Sequence, residues 1–204
     1  MSTRSEHWQN VYTTKGERDV SWFQAGSKRS LALIRDAAPD STASIIDVGG
    51  GASSLAGELL EAGYRDLSVL DISRAALERA KSALRDMSGK IEWMVADITR
   101  WQPPRRWNVW HDRAVFHFLT AAQDQDAYIR ALDVGTAPGA AVVISTFALD
   151  GPEKCSGLPV ERYSAQTLAA RLGPAFQLVR EECEDHHTPG GAVQKFSYAM
   201  LRKI

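Results

Sequence analysis

The chain has 204 residues, with 24 lysines and arginines against 25 aspartates and glutamates, a formal charge of -1 and 44% hydrophobic residues. That length and an ordinary globular composition predict one compact domain with a sizeable core and exclude bulk disorder, while two cysteines, Cys155 and Cys183, are too few for a disulfide framework. Near-neutral charge argues against nucleic acid as a partner, and no apolar run approaches the roughly 20 residues of a membrane helix, so a cytoplasmic protein is expected.

The first 26 residues carry His7, Trp8, Tyr12, Trp22 and Phe23 in a polar surround and read as a lid or helical segment ahead of a main domain over 27–204. A core helix is expected over 27–36. Apolar bursts at 44–48, 67–70, 91–95, 107–110 and 140–146 then alternate with helix-period stretches at 53–62, 73–85 and 119–132. This is the pattern of strand, helix, strand units in a parallel sheet. Within 73–85, Ala76, Leu77, Ala80 and Leu84 share one helical face. Ala137-Pro138-Gly139 breaks the chain just before the fifth strand. The stretch 150–160, rich in Gly and Pro, reads as a loop, and Ser164 caps a short helix stopped by Gly173-Pro174. Two last strands, at 176–180 and 195–201, are joined by a loop holding His186 and His187 and must be antiparallel to each other. The fold class expected is α/β, a Rossmann-like doubly wound sheet.

The chemistry concentrates where the first strand meets its loop, in Asp47-Val48-Gly49-Gly50-Gly51. A β-branched strand running into glycines lets backbone approach a ligand at the strand's C-terminal end. Asp71 ends the second strand, 20 residues beyond Gly51, where a carboxylate accepts from ribose hydroxyls, and also suits a helix cap. Asp97 ends the third, placed to accept from an adenine amino group. A dinucleotide site wants a third glycine where Ser54 stands, which speaks against a nicotinamide cofactor. Carboxylates on successive strand tips would also repel a polyphosphate.

With these three motifs in order, the chain resembles a class I S-adenosylmethionine (SAM) dependent methyltransferase, of the small stand-alone type 11/12 kind, over nearly its whole length. The resemblance implies a seven-stranded sheet whose last strand is antiparallel. It also implies SAM contacts from Asp47, Gly49, Gly50, Gly51, Asp71, Ile72, Asp97, Ile98, Asp112 and Trp22. The fourth strand ends in Trp110-His111-Asp112-Arg113 and leads to His117; in related methyltransferases this edge faces the reacting methyl group, so Asp112, Arg113 and His117 are the expected catalytic residues. The Asn/Asp-Pro-Pro-Tyr signature of many amino-group methyltransferases is missing there. Aromatic walls suit a sulfonium cation, and Phe23 and Phe147, with Cys155, Arg162 and His187 from the later loops, are expected around the acceptor. No metal is expected, since Cys183-x-x-His186 is a poor ligand motif.

The function implied is direct methyl transfer to an O, N or S nucleophile of a small molecule, by a monomer or homodimer. A protein lysine methyltransferase, or a scaffold that binds SAM without catalysis, would share the same motifs.

Overall fold

The computed structural model describes residues 3–16 and 19–204; residues 1–2 and 17–18, part of the expected 1–26 segment, lie outside the described residues. In chain order the elements are α1 (Arg4–Thr14), α2 (Lys28–Ala37), β1 (Ile45–Val48), α3 (Leu55–Glu61), β2 (Leu67–Asp71), α4 (Arg74–Leu84), β3 (Ile91–Val95), β4 (Trp107–Arg113), α5 (Ala122–Gly135), β5 (Thr136–Phe147), a small hairpin β6 (Lys154–Cys155) and β7 (Leu158–Pro159), α6 (Ala165–Leu172), β8 (Phe176–His187) and β9 (Val193–Lys203). Seven strands form one sheet in the order β3-β2-β1-β4-β5-β9-β8. Strands β1 to β5 are parallel where they pair, whereas β9 runs antiparallel to both β5 and β8. This is the expected doubly wound sheet, closed by an antiparallel last strand.

Burial on both sides explains the unbroken apolar runs, for every residue of β1 and β2 is buried. Period-two alternation sends Ile45, Val69 and Val109 to the layer of α2, α3 and α4, where they meet Ile34, Leu55, Leu59 and Leu77. Ile46, Trp110 and Val142 point the other way, toward Tyr128 and Leu132 of α5 and Leu168 and Leu172 of α6. Each such fully buried leucine or isoleucine contributes about 1.5 to 3 kcal/mol of transfer free energy. A third cluster, with Phe147, Cys155, Phe196 and Tyr198 as members, packs beneath the outer end of the sheet.

Three expectations are corrected. Ala137-Pro138-Gly139 falls inside β5, which already begins at Thr136, and the break shows as a register shift against β4 between Trp107 and Val109. His186 and His187 are strand residues, paired with Gln194 and Val193, so β8 continues past 180 and the connection shortens to residues 188–192. The polar sequence hid this strand because β8 is a sheet edge, whose charged side chains discourage further pairing. The stretch 150–160 is also not all loop: Ser156 and Gly157 both take positive φ, 51° and 79°, the conformation that turns a two-residue hairpin between β6 and β7.

Candidate functional site

The parallel strands β1, β2, β3 and β4 all end at the same edge, and a cleft of about 1380 Å³, counted out to its open mouth, lies over their tips. Asp47, Gly49, Gly50, Asp71, Ile72, Asp97 and Ile98 all line it. The glycine loop is required by geometry. Gly49 and Gly51 have φ of 69° and 53°, in the left-handed region. A Cβ on Gly50 would stand 2.6 Å from Asp47 Oδ2 and 2.7 Å from Val69 Cγ1. Bare backbone therefore forms the floor where a side chain would fill it.

Asp71 is buried, and its Oδ1 accepts from the Ser73 N–H at 2.7 Å. Burial pushes its carboxyl up to about 7, although backbone N–H groups of Ser73, Gly51 and Ile72 pull it back. Hydroxyl donors from a ligand would supply the compensation that its surroundings lack. Ser73 meanwhile caps α4, accepting from Ala76 N–H, so the turn that aims Asp71 is fixed by the helix start. Asp97 accepts from both the backbone N–H and the hydroxyl of Thr99, at 3.0 and 2.8 Å, which fixes its side chain beside Ile98. Buried carboxylate, bare glycine floor and apolar Ile72 and Ile98 fit the hydroxyls and flat base of an adenosine group.

Helix α1 roofs this cleft. Gln9 Oε1 accepts from Ala75 N–H (3.1 Å) and Ser73 Oγ (3.2 Å) at the start of α4, and Arg4 pairs with Asp124 at 2.6 Å beside Asp97 at 3.7 Å. On the far side His7 Nε2 lies 3.4 Å from Ser156 Oγ in the β6–β7 turn. Trp8 meets Trp22 and Phe118 edge to face at ring distances of 5.5 and 5.0 Å, and Tyr12 meets Trp22 at 6.3 Å. Trp22, Phe23 and Cys155 line the cleft, as expected of wall residues. Burial, together with the nearby Asp71, raises the Tyr12 phenol, which therefore stays protonated. Of this roof, sequence reasoning singled out His7, Trp8, Tyr12, Trp22 and Phe23; Arg4 and Gln9 gave no signal, because their partners are 120 and 66 residues away.

The tip of β4 splits by parity. His111 and Arg113 face the α2 side and line the cleft. His111 Nδ1 lies 2.7 Å from Asp47 Oδ1 and its Nε2 lies 2.8 Å from Ser30 Oγ, so both ring nitrogens are engaged. Asp112 points the opposite way, toward α5. Its carboxylate accepts from Val115 N–H (2.8 Å), Phe116 N–H (3.1 Å) and Tyr128 Oη (2.6 Å), and it is wholly buried. Burial raises it to about 6. Asp112 thus holds the turn after β4 and does not reach the cleft.

Gly51 is not among the lining residues, its backbone N–H being turned to the Asp71 carboxylate, and four further expected residues also stand outside the lining. His117 is wholly buried behind Phe118, at 4.4 Å between rings, and against Phe147 at 4.9 Å; burial lowers it to about 3, so it is neutral. Phe147 is core, packed on Phe196. Arg162 turns to Gly151 O and Glu153, and His187, at the end of β8, lines a separate shallow depression with Lys28 and Pro189. Local sequence placed these residues near the correct edge, but side-chain direction removes them from the space.

Residues 45–139 match the family model described as "Methyltransferase domain". None of the curated proteins gives a significant match to this sequence. Among solved structures, the chain is similar to N-methyltransferase NodS from Bradyrhizobium japonicum WM9 in complex with S-adenosyl-L-homocysteine (SAH), with 16% identity over 98% of this chain and 99% of that one and a TM-score of 0.73. It is also similar to a SAM-dependent methyltransferase from Anabaena variabilis, with 13% identity, coverage of 100% and 96%, and a TM-score of 0.74. A third is the 1,6-didemethyltoxoflavin-N1-methyltransferase of Burkholderia thailandensis, with 15% identity, coverage of 96% and 82%, and a TM-score of 0.69. These likenesses establish the fold.

Proposed function

We propose that this chain, a class I SAM-dependent methyltransferase, passes the methyl group directly to a nucleophilic atom of a small molecule held between the β4 tip and the aromatic roof. The observation that carries this reading is the roof itself. Anchored on α4, on α5 and on the β6–β7 turn, α1 encloses the space above the strand tips and leaves a pocket suited to a small acceptor rather than a polypeptide.

The residues divide the work by position. Asp71 would hold the ribose hydroxyls and Asp97 with Ile72 and Ile98 would bracket the base, while Gly49 and Gly50 would give the backbone approach and Gly51 steadies Asp71 through its N–H. Asp47, held by His111, would face the amino-acid end of the cofactor. SAM supplies an activated methyl group on a sulfonium, so the protein's contribution is alignment and exclusion of water. Trp8, Tyr12, Trp22 and Phe118 provide aromatic faces beside that cation.

Among the described residues, neither histidine of the β4 tip region nor Cys155 offers an ionised base at the acceptor end. Both ring nitrogens of His111 are engaged, and His117 is neutral behind the wall. The Cys155 thiol is pushed up to about 11 by burial and stays protonated. The acceptor should therefore present a nucleophile that needs no deprotonation by the enzyme. Calorimetry with SAM, SAH and NADH, followed by methyl-transfer assays on a panel of small O, N and S nucleophiles, tests the proposal. Binding of SAH but not NADH, with transfer to a panel member, is the expected result. NADH binding in preference to SAH would overturn the reading, and SAH binding with no transfer would favour a scaffold.

A further inference from the structure

Tyr12 brings the roof down onto the glycine loop. A Cβ built on Gly51 would stand 2.7 Å from Tyr12 Oη and 3.4 Å from Asp71 Oδ2, so the phenol and the carboxylate flank a single point beside that turn. Gln9, one helical turn earlier on the same face of α1, accepts from the Ser73 hydroxyl at 3.2 Å, and the Ser73 N–H donates to Asp71 Oδ1 at 2.7 Å. One face of α1 therefore flanks Asp71 twice: Gln9 through the turn that aims the carboxylate, and Tyr12 beside its second oxygen.

Hydrogen-bonding capacity decides what this pair can take. An ionised Asp71 only accepts, so the hydroxyls of a ribose would donate to it and leave their own lone pairs unserved. Tyr12 is half-buried, lines the cleft and is held protonated by burial and by the neighbouring Asp71. Its hydrogen-bond partner is Trp22, whose indole can only donate, so the phenol proton is left for a ligand. We infer that the Tyr12 hydroxyl is a second ribose contact, donating to one hydroxyl oxygen of the cofactor's ribose while Asp71 accepts from the diol. The inference rests on the methyltransferase reading above and adds a cofactor-binding residue to it.

Position assigns the phenol to the ribose and not to the amino-acid end of the cofactor. Asp71 is the carboxylate beside Tyr12 and Gly51, whereas Asp47 lies against Gly50, where a Cβ would meet its Oδ2 at 2.6 Å, and is engaged by His111 at 2.7 Å. The contact also makes the roof part of the cofactor site. A nucleoside seated on Asp71 steadies α1 through Tyr12, and a docked α1 completes the grip on the nucleoside, so the two events favour each other.

Tyr12→Phe tests this, because it removes the hydroxyl and keeps the ring against Trp8 and Trp22, so a cooperative melting transition should persist. Calorimetry on the full-length protein compares SAH with 5'-methylthioadenosine, which lacks the amino-acid end. Both should bind the variant more weakly by the same factor, about two- to tenfold. Competition against SAH then ranks adenosine, 2'-deoxyadenosine and 3'-deoxyadenosine. The wild type should prefer adenosine to both, and for one of the deoxy analogues that preference should shrink in Tyr12→Phe by the factor lost with SAH, because the contact is already gone. Unchanged affinities in the variant overturn the inference. A loss with SAH alone would move Tyr12 to the amino-acid end and also overturn it. Weaker binding of every probe with both deoxy preferences intact would make the hydroxyl a structural part of the roof, which overturns it as well. Failure of the wild type to bind SAH sinks the methyltransferase reading instead, which separates the two failures.

Discussion

Replacing Asp71 with asparagine separates the cost of its carboxylate from its use. In the ligand-free cleft its pKa rises from 3.8 to about 7, so at pH 8 it is ionised at a cost of about 4 kcal/mol relative to an exposed carboxylate. A raised folded-state value means that the native chain keeps a proton that the unfolded chain releases. The associated stability is complete below about pH 4 and is lost as the pH climbs through about 7. Asparagine carries no charge and keeps an oxygen for the Ser73 N–H, but its buried amino group takes back about 1 to 2 kcal/mol. Asp71→Asn should therefore raise the unfolding free energy by about 2 to 3 kcal/mol at pH 8 and change it by less than about 1 kcal/mol at pH 5. Asp112 is also raised, to about 6, but is present in both proteins and cancels in the difference. Guanidinium unfolding followed by tryptophan fluorescence measures both values. In the same variant SAH should bind more weakly by about 1.5 to 3 kcal/mol, because charge-assisted hydrogen bonds to the ribose are lost. Destabilisation at pH 8, or a gain of equal size at pH 5, would refute the account of a buried, uncompensated carboxylate.

Other substitutions probe separate parts of the site. Gly50→Ala drives a methyl group against Asp47 and Val69 and should cost about 1 to 3 kcal/mol of stability and abolish SAH binding, read by melting temperature and calorimetry. Tyr128→Phe removes a donor to Asp112 and leaves Trp110 Nε1 without its acceptor; it should destabilise by about 2 to 4 kcal/mol with SAH affinity unchanged. Gln9→Ala uncouples the roof from α4, so limited proteolysis within residues 6–24 should quicken in ligand-free protein and slow again with SAH. Equal sensitivity with and without SAH would detach the roof from cofactor binding. His117→Phe should leave the pH profile of turnover unchanged, since a group held near 3 stays neutral throughout the assay range; a displaced limb would return His117 to the reaction.

Much of the architecture was legible because parallel strands must be apolar on both faces. Runs such as Ile45-Ile46 before Asp47, closed by glycines, leave little freedom of interpretation. The floor of the cleft followed for the same reason, since Gly49, Gly50, Asp71 and Asp97 are fixed by their place at strand ends. The rim was less legible. In β4, period two already separates His111 and Arg113 from Asp112, but the sequence does not say which face is open. The roof was harder still, for helix α1 has apolar and polar residues without a strong stripe, and its docking depends on Gln9 and Arg4 finding distant partners. The strand carrying His186 and His187 was hidden by its own edge position, where polar side chains on both faces erase the alternation.

The reversed direction of β9 has a consequence for how this enzyme can change. Phe196 and Tyr198, which flank Arg113, come from a strand outside the 45–139 stretch that matches the methyltransferase family model. Because β9 runs against its neighbours, the hairpin tip over 188–192 turns at the edge of the sheet where β5 ends, and Pro189 lines the shallow depression that shares Phe23 and Gln24 with the cleft. Lengthening or resequencing that tip would alter which molecules are admitted while the grip on adenosine stays intact. The C-terminal hairpin thus joins α1 and the β6–β7 turn as a segment whose exchange would change the acceptor.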